Sequence, residues 1–240
     1  MLLGVITARA GSKGIPGKNM VDLGGKPLLD YTLRLAEECS ELDRIVLTTD
    51  IREAAEWTRE RYRRVAVPFL RPKRLSGPAI TQDRVVLHAV DFFEREFGER
   101  IKSVALLQPT CPFRKLDEVQ TALRQFKRKD WVSLVGVSRV WHHPGDYVFC
   151  DPRSRPGFRF VFRKKHWRQR QDFPSVYFMT GALYVCRVDY LRRTGGFYDN
   201  CSRLFMMSDE TMIDIDSPFE LEIARGLILW QKRLKAQAQR

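Results

Sequence analysis

Two hydrophobic periodicities alternate along the chain. Residues 1–8 (MLLGVITA) form an unbroken apolar run ahead of a glycine-rich stretch, which predicts a strand buried on both faces of a parallel sheet. From Pro27 the spacing lengthens: Leu28, Leu29, Leu33, Leu35 and Ala36 share one helical face, with the proline at the helix start. Residues 44–49 (RIVLTT) predict a second strand closed by Asp50, 51–61 a helix and 65–69 a third strand. Beyond the proline-containing segment 71–82, the pattern predicts a helix over 83–97, a strand over 103–107, a helix over 116–128 and a strand over 131–137. Strand and helix in turn, joined by short connections, predict a doubly wound, mostly parallel α/β sheet. Such a sheet binds its ligand beyond the carboxyl ends of its strands.

Between 138 and 175 that rhythm breaks. The stretch is aromatic and basic, carries Pro144, Pro152, Pro156 and Pro174, and shows no helical spacing. It is too long for an ordinary loop of a compact domain. We read it as a protruding β-rich arm inserted in a single domain spanning 1–240. Residues 177–187 return to a core strand, and 218–237 close the domain as a long amphipathic helix with a basic end. There is no internal repeat and no low-complexity segment.

Composition agrees with a folded domain: of 240 residues, 44% are hydrophobic and 30% charged, which excludes a disordered chain. No apolar run approaches the roughly 18–20 residues needed to cross a bilayer. The apolar start has no basic leader and meets Arg9 at once, so no cleaved signal is expected, and a cytoplasmic protein is. Five scattered cysteines without a Cys-x-x-Cys pair fit a reducing compartment. The four histidines lack zinc-like spacing, leaving any metal chemistry to carboxylates.

Charge widens the field. Lys and Arg number 42 against 29 Asp and Glu, a formal net charge of +13. The basic runs at 124–129 and 163–170 suit a solvated face, a nucleic acid, a membrane surface or an anionic small substrate. Trp167 interrupts the second run, so stacking on the bases of RNA or DNA is a second hypothesis.

The first strand runs into RAGSKGIPGKN at 9–19, three glycines and three cations around one proline. Glycines let backbone N–H groups approach an anion, while Arg9, Lys13 and Lys18 supply charge, as a triphosphate requires. Lys18 is followed by Asn19, so this is not the GxxxxGK[ST] loop of nucleotide hydrolases. Farther on, Asp214-Ile215-Asp216 places two carboxylates on one side of an extended segment, about 7 Å apart. Hard oxygen ligands of that kind suit Mg²⁺ bridging phosphates. The same residues also read as a turn before the last helix, with Ser217 capping and Pro218 at its first position. Both readings hold together. Gln108-Pro109-Thr110 alone reads as a strand end with a cap-like threonine, and Phe197-Tyr198 alone as core.

ARAGSKGIPGKN at 8–19 resembles the signature of the acylneuraminate cytidylyltransferases, the CMP-sialic acid synthetases, with Ala10 where that family usually has glycine. Further similarities follow in order: RPKRLS at 71–76, LLQPTCPFR at 106–114, RQDFP at 170–174, TGALYV at 180–185 and IDIDSP at 213–218. The resemblance implies a Rossmann-like nucleotidyltransferase fold, a homodimer joined through the arm, and transfer of CMP from CTP to the anomeric hydroxyl of a nonulosonic acid with release of pyrophosphate.

It also implies site residues. CTP would meet Arg9, Gly11, Ser12, Lys13, Lys18, Asn19, Arg71, Ile80 and Gln82, with Lys18, Asp216 and Arg9 catalytic. Asp214 and Asp216 would hold Mg²⁺ or Mn²⁺, with Asp216 the partner of the attacking hydroxyl. The sugar acid would meet Gln108, Arg170, Thr180, Gly181, Phe197 and Tyr198. The guanidinium of Arg170 matches a carboxylate and would reach a partner's site in the dimer. Two departures bear on recognition. Pro78, Ile80 and Gln82 stand where relatives carry an aspartate and small hydroxyl residues, and Thr180 replaces an asparagine. Transfer to an eight-carbon acid such as Kdo is the neighbouring alternative, opposed by the Ser-Lys-Gly-Ile-Pro loop and the Phe197–Tyr198 pair.

Overall fold

The first apolar run becomes strand β1 (Leu2–Ala8) in the computed structural model, which describes residues 1–150, 157–161 and 175–238. Its seven residues are all buried. Leu2, Ile6 and Ala8 join one core and Leu3 and Val5 the other, the period-two alternation of a strand covered on both faces. In chain order there follow α1 (Leu28–Glu38), β2 (Arg44–Thr49), α2 (Arg52–Arg61), β3 (Val65–Ala66), α3 (Gln82–Phe97), β4 (Ser103–Leu107), α4 (Leu116–Arg128) and β5 (Ser133–Arg139). The chain continues through β6 (Val148–Cys150), β7 (Phe158–Phe160), β8 (Tyr177–Arg187), α5 (Val188–Thr194), β9 (Arg203–Met206) and α6 (Pro218–Ala238).

Seven strands form one sheet in the order β3-β2-β1-β4-β8-β5-β9. β8 runs antiparallel to both its neighbours, and every other pairing is parallel. The expected doubly wound, mostly parallel sheet is therefore present. Helices α1, α2 and α4 cover one face and α3 and α5 the other, each contributing to a separate apolar core. Where β1 lies between β2 and β4, successive crossovers turn to opposite sides, the position at which such sheets open a crevice.

Several expected boundaries change. The third strand, expected over 65–69, keeps only Val65 and Ala66 in the ladder. The strand expected over 131–137 begins at Ser133, because Asp130 takes a left-handed conformation (φ 51°) that turns the chain out of α4. Helix α5 and edge strand β9 were not expected. Within the arm, β6 and β7 pair antiparallel as a separate two-stranded sheet. Arg170, the Trp167-interrupted basic run and the RQDFP motif lie outside the described residues. Among the described residues, no helix is long and apolar enough to cross a membrane.

A third, smaller core decides the site. Ile15 from the glycine loop, Leu23, Leu28, Ile213 and Ile215 pack with Leu221, Ala224 and Ile228 of α6. This cluster fastens the loop after β1 to the segment before α6, although about 200 residues separate them in sequence.

Candidate active site

The segment 213–216 alternates as expected of extended chain. Ile213 and Ile215 are buried in the third core, while Asp214 and Asp216 both line a cleft of ≈ 490 Å³ beyond the carboxyl ends of β1 and β4. Three contacts hold this segment in place. The Ile215 N–H donates to the Thr110 carbonyl at 2.8 Å, tying it to the turn after β4. The Glu220 carboxylate accepts from the Asp216 and Ser217 N–H groups at 3.0 and 2.6 Å. That is the carboxylate half of a capping box, so the start of α6 also fixes Asp216.

The glycine loop meets this segment directly. Lys18 Nζ donates to Asp216 Oδ1 at 2.6 Å, with the lysine side chain mostly buried and the aspartate 69% exposed. Gly14 explains how the two come so close: a Cβ there would stand 1.9 Å from the Asp216 carbonyl oxygen, so no other residue fits without moving the backbone. Asn19 is buried, and its amide donates to the Arg9 carbonyl at 3.0 Å. Asp50 accepts from the Ala10 N–H at 2.9 Å, anchoring the start of the loop to the end of β2. Gly14 and Asp50 join the site machinery beyond the residues assigned from sequence. The signal for Gly14 was its place in the motif, whereas nothing local marked Asp50.

Of the residues expected to meet a nucleotide, Arg9, Ser12, Lys13, Lys18, Asn19, Arg71, Ile80 and Gln82 all line the cleft. Gly11 is exposed, with open space where a side chain would stand. Arg9 Nη1 donates to the Gly77 carbonyl at 3.3 Å, joining the glycine loop to the 77–82 wall. The Arg71 guanidinium is buried and donates to the main-chain oxygens of Thr48 and Ala8 and to the Thr48 hydroxyl. Burial lowers its pKa to about 10, which leaves it charged at neutral pH. A fixed buried cation therefore lines the cleft together with the lysines of the glycine loop.

Gln108 also lines the cleft. Gly181, with φ +69°, lies against it: a Cβ at that position would stand 2.6 Å from Gln108 Oε1 and 3.8 Å from Asp214 Oδ2. Thr180 is buried, its hydroxyl directed to the Gly136 carbonyl and the Ala182 N–H, so it presents no polar group to the cleft. Phe197 is a core residue, packed with α3 and β4. Tyr198 is partly exposed and stacks on Tyr184 with ring centroids 5.7 Å apart. Burial raises the Tyr184 phenol to about 12, and Tyr198 and the nearby Asp214 carboxylate add to the rise.

Asp214 is the most perturbed acid of the cleft. Burial raises its pKa, and the Asp216 charge adds to this, while the Thr110 hydroxyl and the Lys18 and Arg114 cations pull it back. Its Oδ1 atom is buried without a hydrogen-bond partner. An orphaned carboxylate oxygen beside a second aspartate is a donor set for a hard divalent cation. Among the described residues, no group of three or more His, Cys, Asp or Glu converges for a metal. A cation held here would complete its shell with phosphate oxygens and water, as Mg²⁺ commonly does.

The sequence profile of the cytidylyltransferase family matches residues 3–142. A CMP-N,N'-diacetyllegionaminic acid synthase of Legionella pneumophila is 30% identical over 231 residues, covering 95% of this chain and 96% of that protein. An N-acylneuraminate cytidylyltransferase of Streptococcus agalactiae is 28% identical over 215 residues. That match covers 89% of this chain and 50% of the streptococcal protein, so the chain spans about half the length of that relative. Among solved structures, a CMP:2-keto-3-deoxy-manno-octonic acid synthetase complexed with CTP superposes with a TM-score of 0.66 at 14% identity, covering 96% of this chain and 99% of that one. At that identity the superposition concerns the fold.

Proposed function

The chain belongs to the cytidylyltransferase family, and from that premise we propose that it transfers CMP from CTP to the anomeric hydroxyl of a nonulosonic acid, releasing pyrophosphate. The observation that carries this reading is the junction of Lys18 with Asp216 at 2.6 Å inside one cleft. A cationic loop suited to phosphates and an acidic pair suited to a divalent cation meet there around space for one nucleotide. Relatives acting on sialic and legionaminic acids support a nine-carbon acceptor.

In this reading Arg9, Lys13 and Lys18 bind the triphosphate, with Ser12 and the Gly11–Gly14 backbone approaching its oxygens. Arg71, Ile80 and Gln82 face the nucleoside end. Asp214 and Asp216 would hold Mg²⁺ or Mn²⁺, which would supply positive charge against the triphosphate. Gln108 and Gly181 receive the sugar acid beside Asp214. The sugar's anomeric oxygen forms a bond to the α-phosphorus as the bond from that phosphorus to the pyrophosphate oxygen breaks. The hydroxyl proton passes to Asp216, and Lys18 offsets the charge growing on pyrophosphate. No covalent enzyme intermediate is needed.

We also read the arm as a dimer contact, with Arg170 serving a sugar carboxylate and the exposed Tyr198 its acyl group; Phe197, expected there too, is instead buried in the core. An exposed apolar surface supports this: Tyr177, Phe178 and Met179 on β8, Leu204 and Met206 on β9, and Phe149, Phe158 and Phe160 on the arm. The five free cysteines fit a cytoplasmic setting.

The test is pyrophosphate release from CTP and Mg²⁺ with a panel of N-acetylneuraminate, legionaminate, pseudaminate, the deaminated nonulosonate and Kdo. Release with at least one nine-carbon acid is expected. Release with Kdo alone would move the assignment to eight-carbon acids, and no release with any acid would overturn it.

A further inference from the structure

We propose that Arg114, which touches no ligand in this reading, is the positioning residue for the sugar-acid half of the cleft. The inference rests on the function proposed above. Arg114 is 8% exposed and, among the described residues, forms no ion pair with any carboxylate. Burying a guanidinium that no carboxylate contacts is costly unless hydrogen bonds satisfy it, the nearby Asp214 charge helping only through space. Here its donors are spent on four points of the fold. Nε donates to the Ala182 carbonyl and Nη2 to the Gln108 carbonyl. Nη1 donates to the Cys111 carbonyl at 2.6 Å and to the Thr32 hydroxyl on α1 at 3.0 Å.

Three of these acceptors belong to the two segments that carry Gln108 and Gly181. The Gln108 and Cys111 carbonyls bracket the turn that carries the Gln108 side chain and Thr110. The Thr110 carbonyl in turn accepts from Ile215, between the two aspartates. Ala182 follows Gly181, whose α-carbon lies against Gln108 Oε1 and Asp214 Oδ2. One rigid fork thus joins the turn after β4 to Ala182 on β8. A lysine has a single donor centre and cannot hold three carbonyls in these directions. The glycine loop, by contrast, is held by Asp50, Asn19 and Ile15, none of which Arg114 touches.

The prediction is a split between the two substrates. Arg114→Lys should raise the KM for the sugar acid about tenfold or more and lower kcat, a misplacement effect. Its CTP affinity, read by calorimetry without sugar acid, should change by less than about twofold. Thr32→Val removes one of the four hydrogen bonds while leaving the guanidinium, and should raise the sugar-acid KM by a smaller factor in the same direction. It decides the question if Arg114→Lys fails to fold. Equal losses for CTP and sugar acid would mark Arg114 as merely structural, and unchanged sugar-acid KM in a folded variant would also overturn the proposal. If wild type transfers CMP to none of the acids, the function reading itself fails and takes this inference with it. A wild type that transfers while both variants match it removes the Arg114 inference alone.

Discussion

Asp214 and Asp216 stand two residues apart in very different surroundings. Asp216 is largely exposed and paired with Lys18, whereas Asp214 is half-buried with one buried oxygen unsatisfied. Because burial raises the folded pKa of Asp214 above its unfolded value, folding favours the protonated acid. That contribution is present in full below the unfolded pKa and is lost as pH rises through the folded value. At neutral pH the charge on Asp214 therefore destabilises the fold. Asp214→Asn should raise the melting temperature at pH 7 without divalent metal, and the difference should vanish in acid, while CMP transfer falls. Thermal scans at both pH values check the sign, and a lower melting temperature for the variant at pH 7 would contradict it. Lys18→Ala and Asp216→Asn should each lower kcat by on the order of 10²-fold, comparable to losing one preorganised donor. Circular dichroism confirms the fold of each variant, and full turnover in either would remove its assigned role.

Among elements, the proposed chemistry depends on the junction of the glycine loop with the segment before α6. Gly14→Ala inserts a methyl group where the Asp216 carbonyl stands and should lower kcat/KM for CTP by about tenfold or more while leaving the sheet intact. A crystal structure with the Lys18–Asp216 contact unchanged would show that the loop tolerates the methyl group. Elements built from long apolar runs or steady helical spacing were legible: 44–49, 103–107 and 116–128 match β2, β4 and α4 residue for residue. The misses were short. β9 (RLFM) is a four-residue edge strand with little burial, and α5 is seven residues ended by Gly195 at φ +65°, too brief for a periodicity to register. β3 lost its expected end because Val67 and Phe69 pack through side chains without extending the ladder. The glycine loop and the acidic pair, which line one cleft, could be singled out because both are local motifs. Arg114, Asp50 and the packing of Ile15 on Ile213 were not, since their partners are distant in sequence. Thr180 was misleading for the same reason: its hydroxyl is taken up by Gly136, 44 residues away.

For the whole molecule, the +13 charge and the exposed apolar surface make separate predictions. Light scattering on a gel-filtration peak should give twice the 28.1 kDa chain mass, and Phe178→Glu should shift the peak toward monomer. A wild-type monomer at all concentrations would remove the dimer reading. Nucleic-acid binding would instead appear as a gel shift that fades steeply with salt, and the small-substrate reading of the cleft predicts no shift. The central claim is that one cleft directs attack at the α-phosphorus of CTP, and labelling that atom tests it most directly. With CTP carrying ³²P at the α position, Mg²⁺ and the preferred nonulosonic acid, the label should pass entirely to the sugar nucleotide, leaving unlabelled pyrophosphate. Label remaining on CDP or free CMP, with the sugar acid phosphorylated or unchanged, would contradict the account.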